Sequence, residues 1–413
     1  MRHNISAKER LRARFILFSI LLVALFGTAG VALPYPVLSP YFVDVESTGI
    51  SIFMGIHPKI LLGISLAAYP LGTLFGSSII GALSDRYGRK QILSYSLIGG
   101  IVGYILTAWA FQQGGFILFI FARLLTGFFE GNSAITRAVA AELHPVIDRD
   151  KSLSLLYATI YGGWLIGPLM GGYLAPYGVD VTFFAAAVAL VVAWLLVMFS
   201  LPSSEPQFVR KQNLWTEIRS NHSFTLLFNP QCRRFFLYYF IYALGLNAYY
   251  EFYPLWMVES LGFGSEKIAL TTLLITTVMI TTSVLVASKI SKAMGDKTAL
   301  FIGNGLLGGV LLLATQLSFP FVLIPIGMSG ALIAVINIVF PALLAKHFGH
   351  LGQGKVMGLQ VSVFNLCIVL IALIGSVVSL ISAASTIVLS GVLILLSVFA
   401  FVDPEKLNLG AKT

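Results

Sequence analysis

The sequence predicts an all-α membrane protein of twelve transmembrane helices arranged as two pseudo-symmetric six-helix bundles. Three observations predict it: a composition that needs lipid as solvent, a succession of twelve apolar runs, and basic residues confined to alternate loops. Of 413 residues, 57% are hydrophobic and only 10% charged, with a mean hydropathy of +0.90; an average soluble domain carries about 25% charged residues. One membrane helix takes roughly 20 apolar residues, so the length accommodates twelve with short connections.

The apolar runs, bounded by charges or by Gly and Pro, fall near 15–38, 60–83, 91–112, 116–141, 153–176, 181–201, 234–257, 268–289, 298–317, 320–345, 355–379 and 381–402. An even number puts both termini on one side. The loops on that side hold 22 of the 26 Lys and Arg residues, among them Arg2, Lys8, Arg10, Arg12 and Arg14 at the start and Arg86, Arg89 and Lys90 after the second run. The opposite side keeps only Lys59 and Lys267, while Arg123 and Arg137 lie within a run. Basic loops stay cytoplasmic, so both termini are expected in the cytoplasm. Read by position, the net charge of +9 reports orientation rather than a nucleic-acid partner.

The order along the chain is then a cytoplasmic N-terminus (1–14), a first six-helix bundle (15–201), a polar cytoplasmic linker (202–233), a second bundle (234–402) and a cytoplasmic tail (403–413). The basic opening and Ala29-Gly30-Val31-Ala32 resemble a cleavable signal peptide, but the run is long enough to span and many spans follow it. Cys232 and Cys367 are far apart and lack any metal or redox spacing, which reads as unpaired packing residues.

After the second run comes Gly81-Ala82-Leu83-Ser84-Asp85-Arg86-Tyr87-Gly88-Arg89-Lys90. Gly81 permits close helix approach, Gly88 a tight turn, and Asp85 can hold a basic side chain or a helix N-terminus. The fourth run carries Arg123, Glu130 and Arg137 at intervals of seven, which on a continuous helix share one face. Charges at mid-membrane cost about 2.5–3.5 kcal/mol on insertion scales and turn away from lipid, so that face is expected to line a cavity. Glu130 is the candidate proton carrier or substrate contact, and Arg123 its electrostatic partner; a structural ion network is the competing reading.

The fifth run holds Gly163-Trp164-Leu165-Ile166-Gly167-Pro168-Leu169-Met170-Gly171-Gly172, whose small residues let backbones pack closely and whose Pro168 removes a helix hydrogen bond. In the seventh, Tyr238, Tyr242, Tyr249 and Tyr253 share one face and Asn247 and Glu251 the other. The cost of a lipid-exposed carboxylate favours the Glu251 face as the interior one, leaving the tyrosines to pack against neighbours or to sit in interfacial belts. Asn337, Gln360 and Asn365 are further substrate-contact candidates.

The loop Gly81–Lys90 matches the G-x-L-x-D-R-x-G-R-K signature of the major facilitator superfamily at every defining position, and the chain resembles that family over essentially its whole length. Gly163–Gly172 is similar to the G-x-x-x-G-P-x-x-G-G pattern of its drug/proton antiporter branch. Arg123 with Gly127 is similar to the family's fourth-helix signature, and Pro34-Tyr35-Pro36 with Pro40 to a Pro-containing first helix. The mid-membrane acid of some antiporters' first helix is absent, since Asp44 and Glu46 fall in the following loop.

The resemblance implies two bundles rocking around a central site, with Asp85, Arg89 and Glu142 in a latch at the cytoplasmic side. A second copy, Ser291 to Lys297, keeps Gly295 but carries Lys292 in place of the acid, which supports duplication and points to the first copy as the working latch. The expected activity is proton-coupled efflux of a small amphipathic compound, such as a drug, metabolite or siderophore, from a bacterial inner membrane. A metabolite importer, as proton symporter or uniporter, and a non-transporting sensor or assembly partner are the alternatives. The expected partners are a small-molecule substrate, protons and the lipid bilayer, with the chain acting as a monomer. No cofactor, metal or enzymatic activity is expected: the sequence has no P-loop, no H-E-x-x-H, no C-x-x-C, and six histidines without ligand spacing.

Overall fold

The computed structural model describes residues 6–43, 49–202, 223–351 and 353–401, so Asp44, Glu46 and most of the linker and tail lie outside it. Backbone groups in a bilayer have no water to bond, which leaves the helix as the way for this apolar chain to cross. The described residues are accordingly helical: α1 (Ala7–Ala32), α2 (Tyr35–Val43), α3 (Pro58–Tyr87), α4 (Arg89–Gln112), α5 (Phe116–Phe129), α6 (Ser133–Glu142), α7 (Arg149–Leu174) and α8 (Val179–Ser200), then α9 (Pro230–Leu261), α10 (Ser265–Leu285), α11 (Ala287–Met294), α12 (Asp296–Ala314), α13 (Leu323–Phe348), α14 (Gln353–Val378) and α15 (Ala383–Ala400).

Ten of these stretches, counting α1 and α2 as one, are long and apolar enough to span. The other two spans are the shorter apolar α5 and the tyrosine-rich α9, whose 32 residues suffice for a crossing. The fold is that of twelve membrane spans. Three spans are interrupted where the sequence reading takes them as continuous, the eighth of them at Val286 between α10 and α11. The first breaks at Leu33–Pro34, where proline has no N–H to continue the ladder, and the fourth breaks between Phe129 and Ser133. Pro168, by contrast, sits inside an α7 that continues to Leu174.

Contacts divide the chain into two compact units, Met1–Ile56 with Ala68–Ile218 and His57–Ala67 with Arg219–Thr413. Helix α3 therefore serves both, its first turns clustering with the second unit. The same neighbour pairs recur in each. In the first unit α1 packs on α7 and α8, and α4 on α5 and α8; in the second, α9 packs on α14 and α15, and α12 on α13 and α15. In span order these are the same four pairings, six spans apart. Within the second unit Lys59 Nζ lies 2.6 Å from Glu259 Oε1 and donates to the Ser379 carbonyl at 2.7 Å, while Glu259 Oε2 accepts from the Ala383 N–H at 3.1 Å. One of the two basic residues assigned to the non-cytoplasmic side is thus ion-paired.

Bare backbone contact sets how closely α3 and α5 approach, since a Cβ on Gly127 would overlap the Tyr69 carbonyl. Helices without side-chain bulk at a crossing gain dispersion contact that lipid cannot supply. Gly127→Ala should therefore destabilise the purified protein by about 1–3 kcal/mol, the usual cost of overpacking. Gly305→Ala, where a Cβ meets nothing within 4 Å, should be neutral or mildly stabilising. Thermal unfolding in detergent checks the pair; equal melting temperatures would remove Gly127 as a packing constraint.

Candidate functional site

The break in the fourth span shapes the first unit's polar centre. Gly127 and Gly131 weaken the helix there, and the departing chain is caught by side chains: the Phe129 carbonyl accepts from Ser96 Oγ, which itself accepts from Asn132 Nδ2 at 2.9 Å. Glu130 caps the end of α5 with 9% of its surface exposed. Its Oε2 accepts from two phenols, Tyr69 Oη of α3 at 2.7 Å and Tyr104 Oη of α4 at 2.9 Å. Its Oε1 has no protein partner and points toward α1, where a Cβ on Gly27 would lie 3.9 Å away.

Arg123, 4% exposed, lies one helical stretch away on α5. Its guanidinium carbon sits 5.0 Å from the Tyr69 ring centroid and 5.7 Å from that of Phe183 on α8. Each such contact is worth about 0.5–2 kcal/mol. Tyr69 thus touches both charges, ring to cation and hydroxyl to anion. Several polar atoms of this cluster have no protein partner. Arg123 Nε and Nη1 have no hydrogen-bond partner, nor does Glu130 Oε1, and a buried unsatisfied group costs about 1–3 kcal/mol.

Arg137 does not join them. The equal spacing places it on the Arg123 face only in a continuous helix, and α6 starts anew at Ser133. There Arg137 folds back on its own turn, donating to the Ser133 carbonyl at 3.0 Å and to Ser133 Oγ at 3.1 Å. Tyr69 and Tyr104 are the site residues that sequence reasoning misses. Tyrosine is common in these helices, and neither position lies in a motif; the one local signal is the neighbouring Pro70 and Gly103.

The Gly81–Lys90 motif spans the last turns of α3, the turn at Gly88 and the start of α4. Gly88 adopts φ +98°, a conformation that side chains resist, and Gly295 repeats it at φ +81° at the start of α12. Arg89 donates from Nε and Nη2 to Glu142 Oε1, both at 3.1 Å, and from Nη1 to Ser84 Oγ at 2.8 Å. Lys90 Nζ donates to the Met198 carbonyl at 2.7 Å. Arg86 is exposed, Gly81 half-buried, and the Asp85 side chain lies outside the described residues.

Helix α7 turns Gly163, Gly167 and Gly171 toward α1. A Cβ on Gly163 would sit 2.6 Å from Thr28 Cβ and one on Gly167 2.6 Å from the Ala29 carbonyl, while Gly171 abuts the Leu33 carbonyl beside the break in the first span. Pro168 and Gly172 are buried on the same helix. The motif is a close-packed seam between the first and fifth spans.

In the second unit α9 is buried on both faces. Asn247 and Glu251 are buried, but so are Tyr238, Tyr242, Tyr249 and Tyr253, which excludes the interfacial belt. Tyr249 Oη bonds Ser329 Oγ at 3.1 Å, Tyr253 bonds Thr272, and Tyr238 accepts from Asn304 Nδ2 at 2.7 Å. Asn247 spends Nδ2 on the Ala243 carbonyl at 2.8 Å, and its Oδ1 has no partner. Asn337, Gln360 and Asn365 are half-buried. Cys232 and Cys367 are buried free thiols, and among the described residues no group of three His, Cys, Asp or Glu could hold a metal.

The profile of the Major Facilitator Superfamily matches residues 16–307 and 235–412. The chain is 24% identical over 349 residues to the tetracycline resistance protein, class H, of Pasteurella multocida, covering 84% of each. It is 27% identical over 306 residues to multidrug resistance protein 2 of Bacillus subtilis, covering 70% of each. Among solved structures it superposes on a D-xylose-proton symporter with a TM-score of 0.74 at 17% identity, over 92% of this chain and 96% of that one. With the human organic anion transporter MFSD10 the TM-score is 0.69 at 20% identity, over 94% and 99%; at these identities the likeness shows the fold alone. The sequence profile, the shared fold and the named relatives agree: this chain belongs to the Major Facilitator Superfamily and is a membrane transporter resembling its drug/proton antiporters.

Proposed function

We propose that the chain exports a small amphipathic compound across the cytoplasmic membrane in exchange for protons, with Glu130 as the group that takes up and releases the proton. The observation that carries this reading is the buried Glu130 carboxylate with one oxygen held by Tyr69 and Tyr104 and the other open. Two phenol donors stabilise the anion, while burial away from water opposes charge. A carboxyl under such opposed demands changes state with small changes in its surroundings. Arg123, seated on the Tyr69 ring with donors to spare, can compensate the anion when the proton leaves.

Export rather than import is favoured by the tetracycline and multidrug resistance proteins among the relatives, and tetracycline is the first compound to test. The Arg89–Glu142 pair serves as the cytoplasmic latch, and Glu251 with Asn247 is the second candidate for proton or substrate contact, in the second unit. Asn337, Gln360 and Asn365 are further substrate-contact candidates there. Both termini lie in the cytoplasm, on the weight of the basic loops.

One charge crossing 100 mV carries about 2.3 kcal/mol, enough for roughly fiftyfold accumulation of a neutral solute. In everted vesicles with an acidified lumen, adding tetracycline should raise luminal pH as protons exchange for drug. Glu130→Gln should abolish uphill accumulation while preserving drug binding or exchange; wild-type accumulation in that variant would remove Glu130 from the mechanism. Tyr104→Phe, which keeps the ring but deletes one donor to Glu130, should shift the pH profile of transport without altering drug affinity, and an unmoved profile would reduce Tyr104 to packing.

The latch has a separate signature. Arg89 and Glu142 are 22% and 56% exposed, and such a pair contributes about 0–1 kcal/mol to stability. Glu142→Gln should leave thermal stability almost unchanged yet slow transport. Loss of stability with normal transport would make the pair structural.

A further inference from the structure

We propose that the cytoplasmic end of α1 is a binding site for an anionic phospholipid, its cations holding the headgroup phosphate while an apolar stripe between them takes the start of the acyl chain. The site is independent of the transported compound. It begins with a capping box: the Ser6 N–H donates to Glu9 Oε2 at 2.8 Å, and the Glu9 N–H donates to Ser6 Oγ at 3.2 Å. Capping starts the helix two turns before Phe15, so Lys8, Arg10, Arg12 and Arg14 ride on a formed helix rather than a loose tail. All four are exposed. Glu9, the acid among them, is committed to the cap, and the ion pairs among the described residues involve none of the four cations.

Position around the helix distinguishes this feature from an ordinary solvated charge run. At 3.6 residues per turn, Leu11, Phe15 and Phe18 fall within about 60° of one another, with the Lys8 and Arg12 pair on one flank and the Arg10 and Arg14 pair on the other. These apolar side chains are 71%, 44% and 52% exposed, while Ala13, Ile16, Leu17 and Ile20 on the opposite side are buried. The exposed stripe needs a cover that is apolar, and the cations bordering it at the level of Leu11 need one that is anionic. An anionic phospholipid is both. A free phosphate would satisfy the arginines and leave the stripe bare; a zwitterionic lipid would cover the stripe and meet the cations with no net charge.

Native mass spectrometry of the delipidated full-length protein, titrated with dioleoyl phosphatidylglycerol or dioleoyl phosphatidylcholine, tests the site. The wild type should retain phosphatidylglycerol in preference to phosphatidylcholine. Lys8→Gln with Arg12→Gln, and Arg10→Gln with Arg14→Gln, should each lower phosphatidylglycerol retention by up to about fivefold per cation removed and leave phosphatidylcholine unchanged. Leu11→Ser should weaken both lipids. Each double variant removes only two of the 22 basic residues assigned to the cytoplasmic loops, all at exposed positions, so orientation and folding are preserved. Equal retention of the two lipids by the wild type, no loss in either double variant, or displacement of phosphatidylglycerol by millimolar inorganic phosphate would each overturn the proposal.

Discussion

A carboxylate buried inside a membrane span is the constraint on which the centre of the first unit depends. Glu130 is buried and no ion pair among the described residues neutralises it. Its burial is tolerated because α3 and α4 each bring a phenol to one of its oxygens. Those phenols arrive only if the helices approach very closely, and they do so through glycines: Gly127 lets α5 meet the Tyr69 backbone, and Gly103 seats against Thr126. The break after Phe129, held by Ser96 and Asn132, then ends α5 with the carboxylate at its terminus. Packing, backbone geometry and electrostatics at this point are a single arrangement.

The same logic explains why the two units look alike without carrying the same chemistry. Four helix pairings recur six spans apart, and Gly88 and Gly295 share a left-handed turn at equivalent helix starts. The side chains have diverged: Lys292 replaces the loop acid, and the second unit buries a tyrosine-rich α9 in which Tyr249 bonds Ser329, Tyr253 bonds Thr272 and Tyr238 accepts from Asn304. Repetition of backbone spacing preserves the fold, and local substitution decides which polar side chains each unit buries.

Much of the fold is legible in the sequence, because a lipid solvent leaves few alternatives to a helix and apolar runs mark its length directly. The interruptions are less legible. Pro34 signals the first, but the fourth run reads as continuous, and its break depends on Ser96 arriving from another helix. The site is legible by half. Arg123 and Glu130 stand out as charges in an apolar run, whereas Tyr69 and Tyr104 resemble every other aromatic residue until the helix crossings are known. The glycines of the fifth run illustrate the converse: their spacing is conspicuous, and the structure accounts for it as a seam against α1.

Glu130 is proposed to gain and lose a proton within its cage of phenols. Infrared difference spectroscopy of the reconstituted protein, stepped between alkaline and acidic pH, measures this directly. A protonated carboxyl stretching band should appear on acidification, vanish in Glu130→Gln and shift in Tyr104→Phe. A band that persists unchanged in Glu130→Gln, or the absence of any titrating buried carboxyl, would contradict it.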